Sequence, residues 1–489
     1  MTPNPEPQYP GSASRWWSLS VVSLGTFMVT TDIGLLSIAL PMIITELRAD
    51  IALAGWITLI YALVTASLYL PCGRLSDILG RSKVYRLGFL FYAVTALIAG
   101  FAQEGWQLIF FRGLQAVGSA LIMTNSFAMI TTLFAPAERG RAMGMAGGTV
   151  SALGYTLGPV IGGLLTYALG WRANFFVTAV LSLIGFAAAG FLLRGDVGDS
   201  ARGARQEPFD FIGAVSSALG IAMLLLALTG GQNRGWRSAF VAAQVVAGVV
   251  SLVFFVWWEG RARFPLLDLR LFKIRAFSYG NIARMISFIT ISMASLMMPF
   301  FLQLAMGMDP LQAGLLVAPT SLGLALLAPV SGWLSERISA QLLCALGLGV
   351  KGIGFTILSF LSVQSSSLDV ILRLGLVGLG LGIFQTPNNN SLMSVIPRER
   401  LGVGSSFLSI VRSLGNSTGA ALATTIVSAR LVELTGQTSL ADLSGSAGTD
   451  GVAVLTAFME GFHYTFLSAA ALCFVGVVIS AFLISEERR

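Results

Sequence analysis

Gly73-Arg74-Leu75-Ser76-Asp77-Ile78-Leu79-Gly80-Arg81-Ser82-Lys83 is a short charged stretch between two long apolar runs. Its glycines let two helix ends approach closely, and Asp77 is placed to pair with the arginines or to sit at a helix N-terminus. Such a turn needs a helix on each side. The flanking runs, 53–72 and 84–102, are mostly apolar and of the roughly 20-residue length that a bilayer crossing requires.

Applied outward along the chain, the same length rule marks fourteen spans: 19–40, 53–72, 84–102, 106–131, 141–168, 172–193, 212–229, 238–258, 277–303, 312–334, 340–361, 368–393, 401–428 and 463–484. Tryptophans mark several of their ends, among them Trp16, Trp17, Trp56, Trp106, Trp171, Trp236, Trp257 and Trp258, as the preference of indole for the headgroup layer requires. The composition agrees: of 489 residues 55% are hydrophobic and 11% charged, against about 25% charged in soluble domains. The net charge of +7 therefore carries topology and does not point to nucleic acid. With the N-terminus inside, 20 Lys and Arg fall in cytoplasmic segments and five outside, so the positive-inside rule puts both termini in the cytoplasm. A Gly-, Ser-, Thr- and Asp-rich loop from about 430 to 462 then faces outward.

The chain repeats itself. A shift of 261 residues aligns Arg112 with Arg373, Pro136 with Pro397, Glu138 with Glu399, Arg139 with Arg400, Gly154 with Gly415 and Gly158 with Gly419. A shift of 259 aligns Gly73-Arg74-Leu75-Ser76-Asp77 with Gly332-Trp333-Leu334-Ser335-Glu336. The organisation that follows is a disordered cytoplasmic tail (1–18), a six-helix half (19–193), a linker with two inserted helices (194–276), a second six-helix half (277–484) and a tail (485–489). Parallel six-helix halves around a central cavity are a transporter architecture.

Other classes find little support. Cys72, Cys344 and Cys473 are widely spaced in apolar runs and His463 stands alone, so neither a disulfide scaffold nor a metal site is expected. No G-x-x-x-x-G-K-[ST] phosphate loop is present. Gly378-Leu379-Gly380-Leu381-Gly382 lies in an apolar helix without a preceding strand and reads as helix packing. No nucleophile–base set is visible, and an enzyme is not expected.

The 73–83 stretch resembles the signature G-x-L-a-D-r-x-G-r-k of the major facilitator superfamily. The resemblance implies a cytoplasmic latch at Gly73, Asp77, Gly80 and Arg81; the residues alone also permit a tight charged turn obeying topology rules. Leu108 to Gly118 resembles the second signature of that family, R-x-x-q-G-x-g, with Ala116 in place of a glycine. Arg112 lies about six residues into an apolar helix, where an unpaired charge costs at least ~2.5–3.5 kcal/mol. It either faces a partner or snorkels to the outer interface. Asp32, in Thr30-Thr31-Asp32-Ile33-Gly34 ahead of Ala39-Leu40-Pro41, is the only acid deep within a span. The stretch is similar to the first-helix signature of the drug/proton antiporters, which implies proton coupling by Asp32 with Arg112; a static ion pair is the alternative. Gly154, Gly158, Pro159, Gly162 and Gly163 match most of the antiporter signature G-x8-G-x3-G-P-x2-G-G, with Met145 at its first glycine. Trp171-Arg172-Ala173-Asn174, Asp210-Phe211-Ile212-Gly213 and Pro265 to Phe272 extend the likeness, and the inserted pair makes it a likeness to the fourteen-helix drug/proton antiporter branch.

More than three residues in from their ends, the spans hold five basic residues, Arg112, Arg284, Lys351, Arg373 and Arg412, against Asp32 alone. A neutral, anionic or amphiphilic substrate follows, with lipid-like cargo included. Arg284 and Arg373, nearer helix ends, are either cavity or interfacial residues. Candidate cavity residues are Gln115, Asn125, Lys351, Gln385, Asn388, Arg412 and Asn416, with Asn389, Asn390 and aromatics such as Tyr61 and Tyr155 beside them. The expectation is an all-α membrane protein of the major facilitator fold, monomeric, in a bacterial plasma membrane. It exports amphiphilic small molecules in exchange for protons, with the proton gradient as energy source and no cofactor or nucleic acid. A lipid or glycolipid flippase, or an organic-anion carrier without proton antiport, is the alternative.

Overall fold

The computed structural model describes residues 12–47, 51–193, 208–308, 310–435 and 449–487. Fourteen long helices build it: α1 Ser12–Glu46, α2 Ile51–Leu79, α3 Arg81–Ala99, α4 Gly105–Leu133, α5 Pro136–Leu169, α6 Arg172–Leu192, α7 Phe211–Arg234, α8 Ala239–Glu259, α9 Arg275–Ala305, α10 Pro310–Leu334, α11 Ala340–Ser359, α12 Ser367–Ser394, α13 Leu401–Thr435 and α14 Thr449–Glu487. α5 passes through a π turn at Gly144–Thr149, and α9 ends in another at Phe301–Ala305. Thirteen of the helices are apolar and long enough to cross a membrane by themselves. α13 is not among them, because it carries Arg412 and a run of serines, glycines and threonines. It is held in the bundle by packing on α9.

The helix boundaries correct three expectations. Residues 12–18, expected in a disordered tail, form the first turns of α1, with Arg15 paired to Glu138 at 2.5 Å; Met1 to Gly11 lie outside the described residues. The outer loop expected at 430–462 is mostly helix, since α13 runs to Thr435 and α14 begins at Thr449; residues 436–448 lie outside the described residues. α14 also continues through Glu487, into the expected tail. The arginines at 48, 194, 202, 205, 488 and 489 used in the charge count lie outside the described residues as well.

The sequence repeat is a packing repeat. In the first half α1 packs on α5, α2 on α4, and α3 on α4 and α6; in the second α9 packs on α13, α10 on α12, and α11 on α12 and α14. The halves meet chiefly through two equivalent pairs, α2 with α13 and α5 with α10, and also where α4 packs on α13 and α5 on α12. The inserted pair packs on itself, and α7 leans against α2 and α13, so it covers the seam between the halves from outside. Large apolar side chains such as Leu164 and Val246 point outward from the bundle, a surface that lipid satisfies and water does not.

Candidate functional site

The face that holds the α2–α3 and α10–α11 turns, called here the basic face, is closed. Gly80 turns the chain between α2 and α3 with φ 97°, a conformation that glycine adopts without strain. Just before that turn Asp77 is fully buried. Its Oδ1 accepts from Arg81 Nη2 at 2.9 Å and from the Gly402 amide at 3.0 Å, and its Oδ2 accepts from the Val403 amide at 3.2 Å. Asp77 thus does both things its sequence permitted: it pairs with an arginine, and it caps the N-terminus of α13 from the opposite half. Arg81 Nη2 also donates to Arg398 O at 2.6 Å. The chains nearly touch here, since a Cβ on Gly73 would lie 2.6 Å from Gly402 O.

The second half carries the mirror arrangement. Glu336, which the 259-residue shift places opposite Asp77, accepts from the Arg141 amide at 3.0 Å. A Cβ on Gly332 would lie 2.3 Å from Gly140 O, and one on Gly140 would lie 2.3 Å from Gly332 O. Desolvation, with help from Glu138, pushes the Glu336 carboxyl above its ordinary 4.5 despite the Arg141 amide. The basic face is therefore sealed twice, by α2 against α13 and by α10 against α5. Gly140 and Gly332 were not singled out as sealing residues in the sequence; the repeat of Gly73 at Gly332 was the available signal.

In the first half Arg112 Nη1 donates to Asp32 Oδ2 at 2.7 Å and to Gln115 Oε1 at 2.8 Å. Its guanidinium lies 4.2 Å from the Tyr61 ring centre, and the Tyr61 and Tyr92 hydroxyls are 3.5 Å apart. Asp32 and Arg112 are 3% and 2% exposed, which rules out an arginine that snorkels to the interface. Close helix packing surrounds the pair. Cβ atoms on Gly154, Gly158 and Gly162 would lie 2.0 Å from Thr30 Oγ1, 2.7 Å from Thr31 O and 2.7 Å from Leu35 Cα, so these glycines let α5 lie against α1. Pro159 sits against Gly34 in the same contact. Gly163 differs: a Cβ there would meet only Ile38, at an ordinary 3.6 Å.

A cavity of about 410 Å³ lies between the halves, a volume that suits a small organic molecule. Seven helices line it: α1, α4, α5, α9, α10, α12 and α13. Among the candidate residues it receives Gln385, Arg412 and Asn416, together with Arg284, Tyr155 and Ser126. Gln115, Asn125, Lys351 and Asn388 do not line it. Gln115 is spent on Arg112, and Asn125 Nδ2 donates to Leu121 O at 2.7 Å. Asn388 donates to Gly280 O at 3.0 Å, nearer the basic face. Lys351 sits on α11, which contributes nothing to the cavity wall; its Nζ donates to Ser287 O at 2.6 Å and Ser287 Oγ at 3.0 Å. Arg373 is not in the cavity either, and pairs with Asp369 at 2.7 Å. On the opposite face Glu46 binds Arg172 and accepts from Trp171 Nε1 at 2.8 Å; the Arg172 contact holds its carboxyl below the ordinary 4.5. Among the described residues no three His, Cys, Asp or Glu side chains gather to hold a metal.

Two half-bundles with the same internal packing, sealed at one face around a central cavity, are what residues 22–420 also match by sequence, as the Major Facilitator Superfamily. The chain belongs to this superfamily. It is 26% identical over 479 residues to the riboflavin transporter RibZ of Clostridioides difficile, covering 96% of this chain and 98% of that one. It is 28% identical over 408 residues to the multidrug transporter protein MdtP of Bacillus subtilis, covering 83% of this chain and 74% of that one. The uncharacterized transporter YebQ of Escherichia coli is 30% identical, with 83% and 88% covered. The human organic anion transporter MFSD10 shares the fold, with a TM-score of 0.65 over 95% of this chain and 99% of that one at 14% identity. The protein is a multi-pass membrane transporter of the major facilitator type, and multidrug transporters are among its relatives.

Proposed function

We propose that this protein exports amphiphilic small molecules across a bacterial plasma membrane in exchange for protons, by alternating access of the central cavity. The basic face is the cytoplasmic one, with both termini on it, and the closed conformation is the outward-facing state. The carrying observation is the Asp32–Arg112 pair at 2.7 Å, a carboxylate buried within one half while the cavity lies between the halves. Protonation of Asp32 from outside removes the charge that holds Arg112, and release inward restores it. Thr30, Thr31 and Leu35, on either side of Asp32, form the α1 surface on which α5 packs through Gly154, Gly158 and Gly162. A change at Asp32 therefore bears directly on the helix that seals the basic face through Gly140. The glycines and Pro159 allow that helix to shift without losing contact.

The relatives support the substrate class at the level their names give, one as a multidrug transporter and another as a riboflavin transporter. In this reading the proton gradient supplies the energy, and the protein works as a monomer with no cofactor. The test is Asp32→Asn in liposomes that contain a pH dye. Asparagine keeps an acceptor for Arg112 but cannot release a proton, so substrate-driven proton movement should vanish while the protein stays folded. Breaking a buried pair costs about 3–5 kcal/mol; the retained Asn carbonyl, Gln115 and the Tyr61 face put the expected loss at or below the lower end. Substrate-driven proton movement in the Asp32→Asn protein would falsify the coupling.

A further inference from the structure

We propose that the cavity selects anionic amphiphiles, with the head group held between Arg412 and Arg284. The proposal rests on the cavity being the substrate site and adds the charge of what enters it. Both guanidinium groups line the cavity, and none of the described residues that line it is acidic. They face the same cavity from α9 and α13, two helices that pack on each other. Arg284 is 2% exposed; its Nε donates to Leu408 O at 2.9 Å and its Nη1 to Asn389 Oδ1, and among the described residues Nη2 finds no acceptor.

Arg412 is less satisfied still. A guanidinium offers five N–H donors, and here the protein bond is a long one, from Nη2 to Tyr69 Oη at 3.4 Å. Among the described residues neither arginine has a carboxylate within salt-bridge distance, whereas Arg112, Arg81 and Arg373 each have one. Two like charges at membrane depth without a counter-ion are costly. An anion that bridges them relieves both the repulsion and the missing acceptors, and the planar fork of arginine favours carboxylate, sulfonate or phosphate. Arg412 stands on α13 of the second half and reaches Tyr69 on α2 of the first, so a bound anion acts on a residue that ties the two halves together. The remaining wall supplies Phe127, Tyr155 and Phe288 for an aromatic body.

The probes are three dansyl compounds of one shape: dansylglycine, its methyl ester, and a dansyl quaternary ammonium. Binding to the purified full-length protein is read by dansyl emission. Dansylglycine should bind more tightly than the ester, and the cation least. Arg412→Gln should weaken dansylglycine about 10-fold or more, the value of a charge-assisted contact, while the ester changes by less than about twofold. Retained ester binding shows that the variant is folded, and Arg412→Lys should restore part of the loss. Equal binding of cation and anion, no binding of the anion, or unchanged anion affinity in Arg412→Gln overturns the proposal. If the wild-type protein binds dansylglycine through Arg412 but moves no protons in liposomes, the exchange mechanism fails and the anion site stands.

Discussion

Gly140→Ala tests whether the glycine contacts hold the basic face shut. A Cβ at position 140 would stand 2.3 Å from Gly332 O and 3.0 Å from Gly332 C, both backbone atoms that no rotamer change can move. An ordinary contact begins near 3.4 Å, so α5 and α10 must separate by about 1 Å at this point. Overpacking of this kind costs about 1–3 kcal/mol, and the cost falls only on the state in which the two helices touch. The equilibrium between closed and open basic face should therefore shift toward the open state by about 5- to 150-fold. Alanine also favours helix over glycine by about 0.8–1 kcal/mol, but that gain is common to both states and cancels. The assay is a spin-label distance between cysteines at Lys83 and Ile338, both exposed near the sealed face, in a background lacking Cys72, Cys344 and Cys473. The distance distribution should move to longer values in Gly140→Ala and stay unchanged in Gly163→Ala, where the new Cβ meets only an ordinary contact. A Gly140→Ala distribution that superimposes on the parent refutes the reasoning.

Glu336 gives the seal a pH dependence. Its carboxyl is raised by partial burial in the closed face, so closure takes up a proton. Its contribution to closure is fully present below the ordinary 4.5 and is lost as pH rises through the raised closed-state value. Spin-label distances measured from pH 4 to 8 should show more opening at higher pH, and Glu336→Gln should flatten that slope; an unaltered slope would count against it. Gly158→Val places branched carbons against Thr31 O and Gly34 Cα inside the first half. A lowered unfolding midpoint worth about 1–3 kcal/mol is expected, and an unchanged midpoint would show that α1 and α5 separate freely. Lys351→Met removes a buried ammonium that donates to Ser287 oxygens, faces the Phe355 ring and pairs with no acid among the described residues. The unfolding midpoint should not fall and cavity binding should persist; loss of transport with an intact fold would place Lys351 in the machinery.

Much of the candidate site was legible because a charge inside an apolar run has few possible explanations. Asp32 and Arg112 stood out that way, and their contact needed only two helices at similar depth. Asp77 was readable because a glycine-flanked turn with arginines leaves an acid few roles. Which polar residues face the cavity was not readable. Membrane helices here are apolar nearly all round, so no polar stripe separates the cavity face from a face turned to a neighbouring helix. Lys351 looked like a cavity residue from its depth, but α11 lies behind α12. Arg284, near a helix end, was open between a cavity and an interfacial place, and it lines the cavity because α9 is an inner helix.

The sequence by itself determined the number of helices, the twofold repeat and the isolated acid–arginine pair, since each follows from local hydropathy or from residue spacing. The tertiary structure alone decided which glycines seal the basic face, that Glu336 repeats the role of Asp77 across the seam, and that two arginines without counter-ions share one cavity. Those are relations between helices far apart in the chain, and they depend on rotations about the helix axes that only packing fixes.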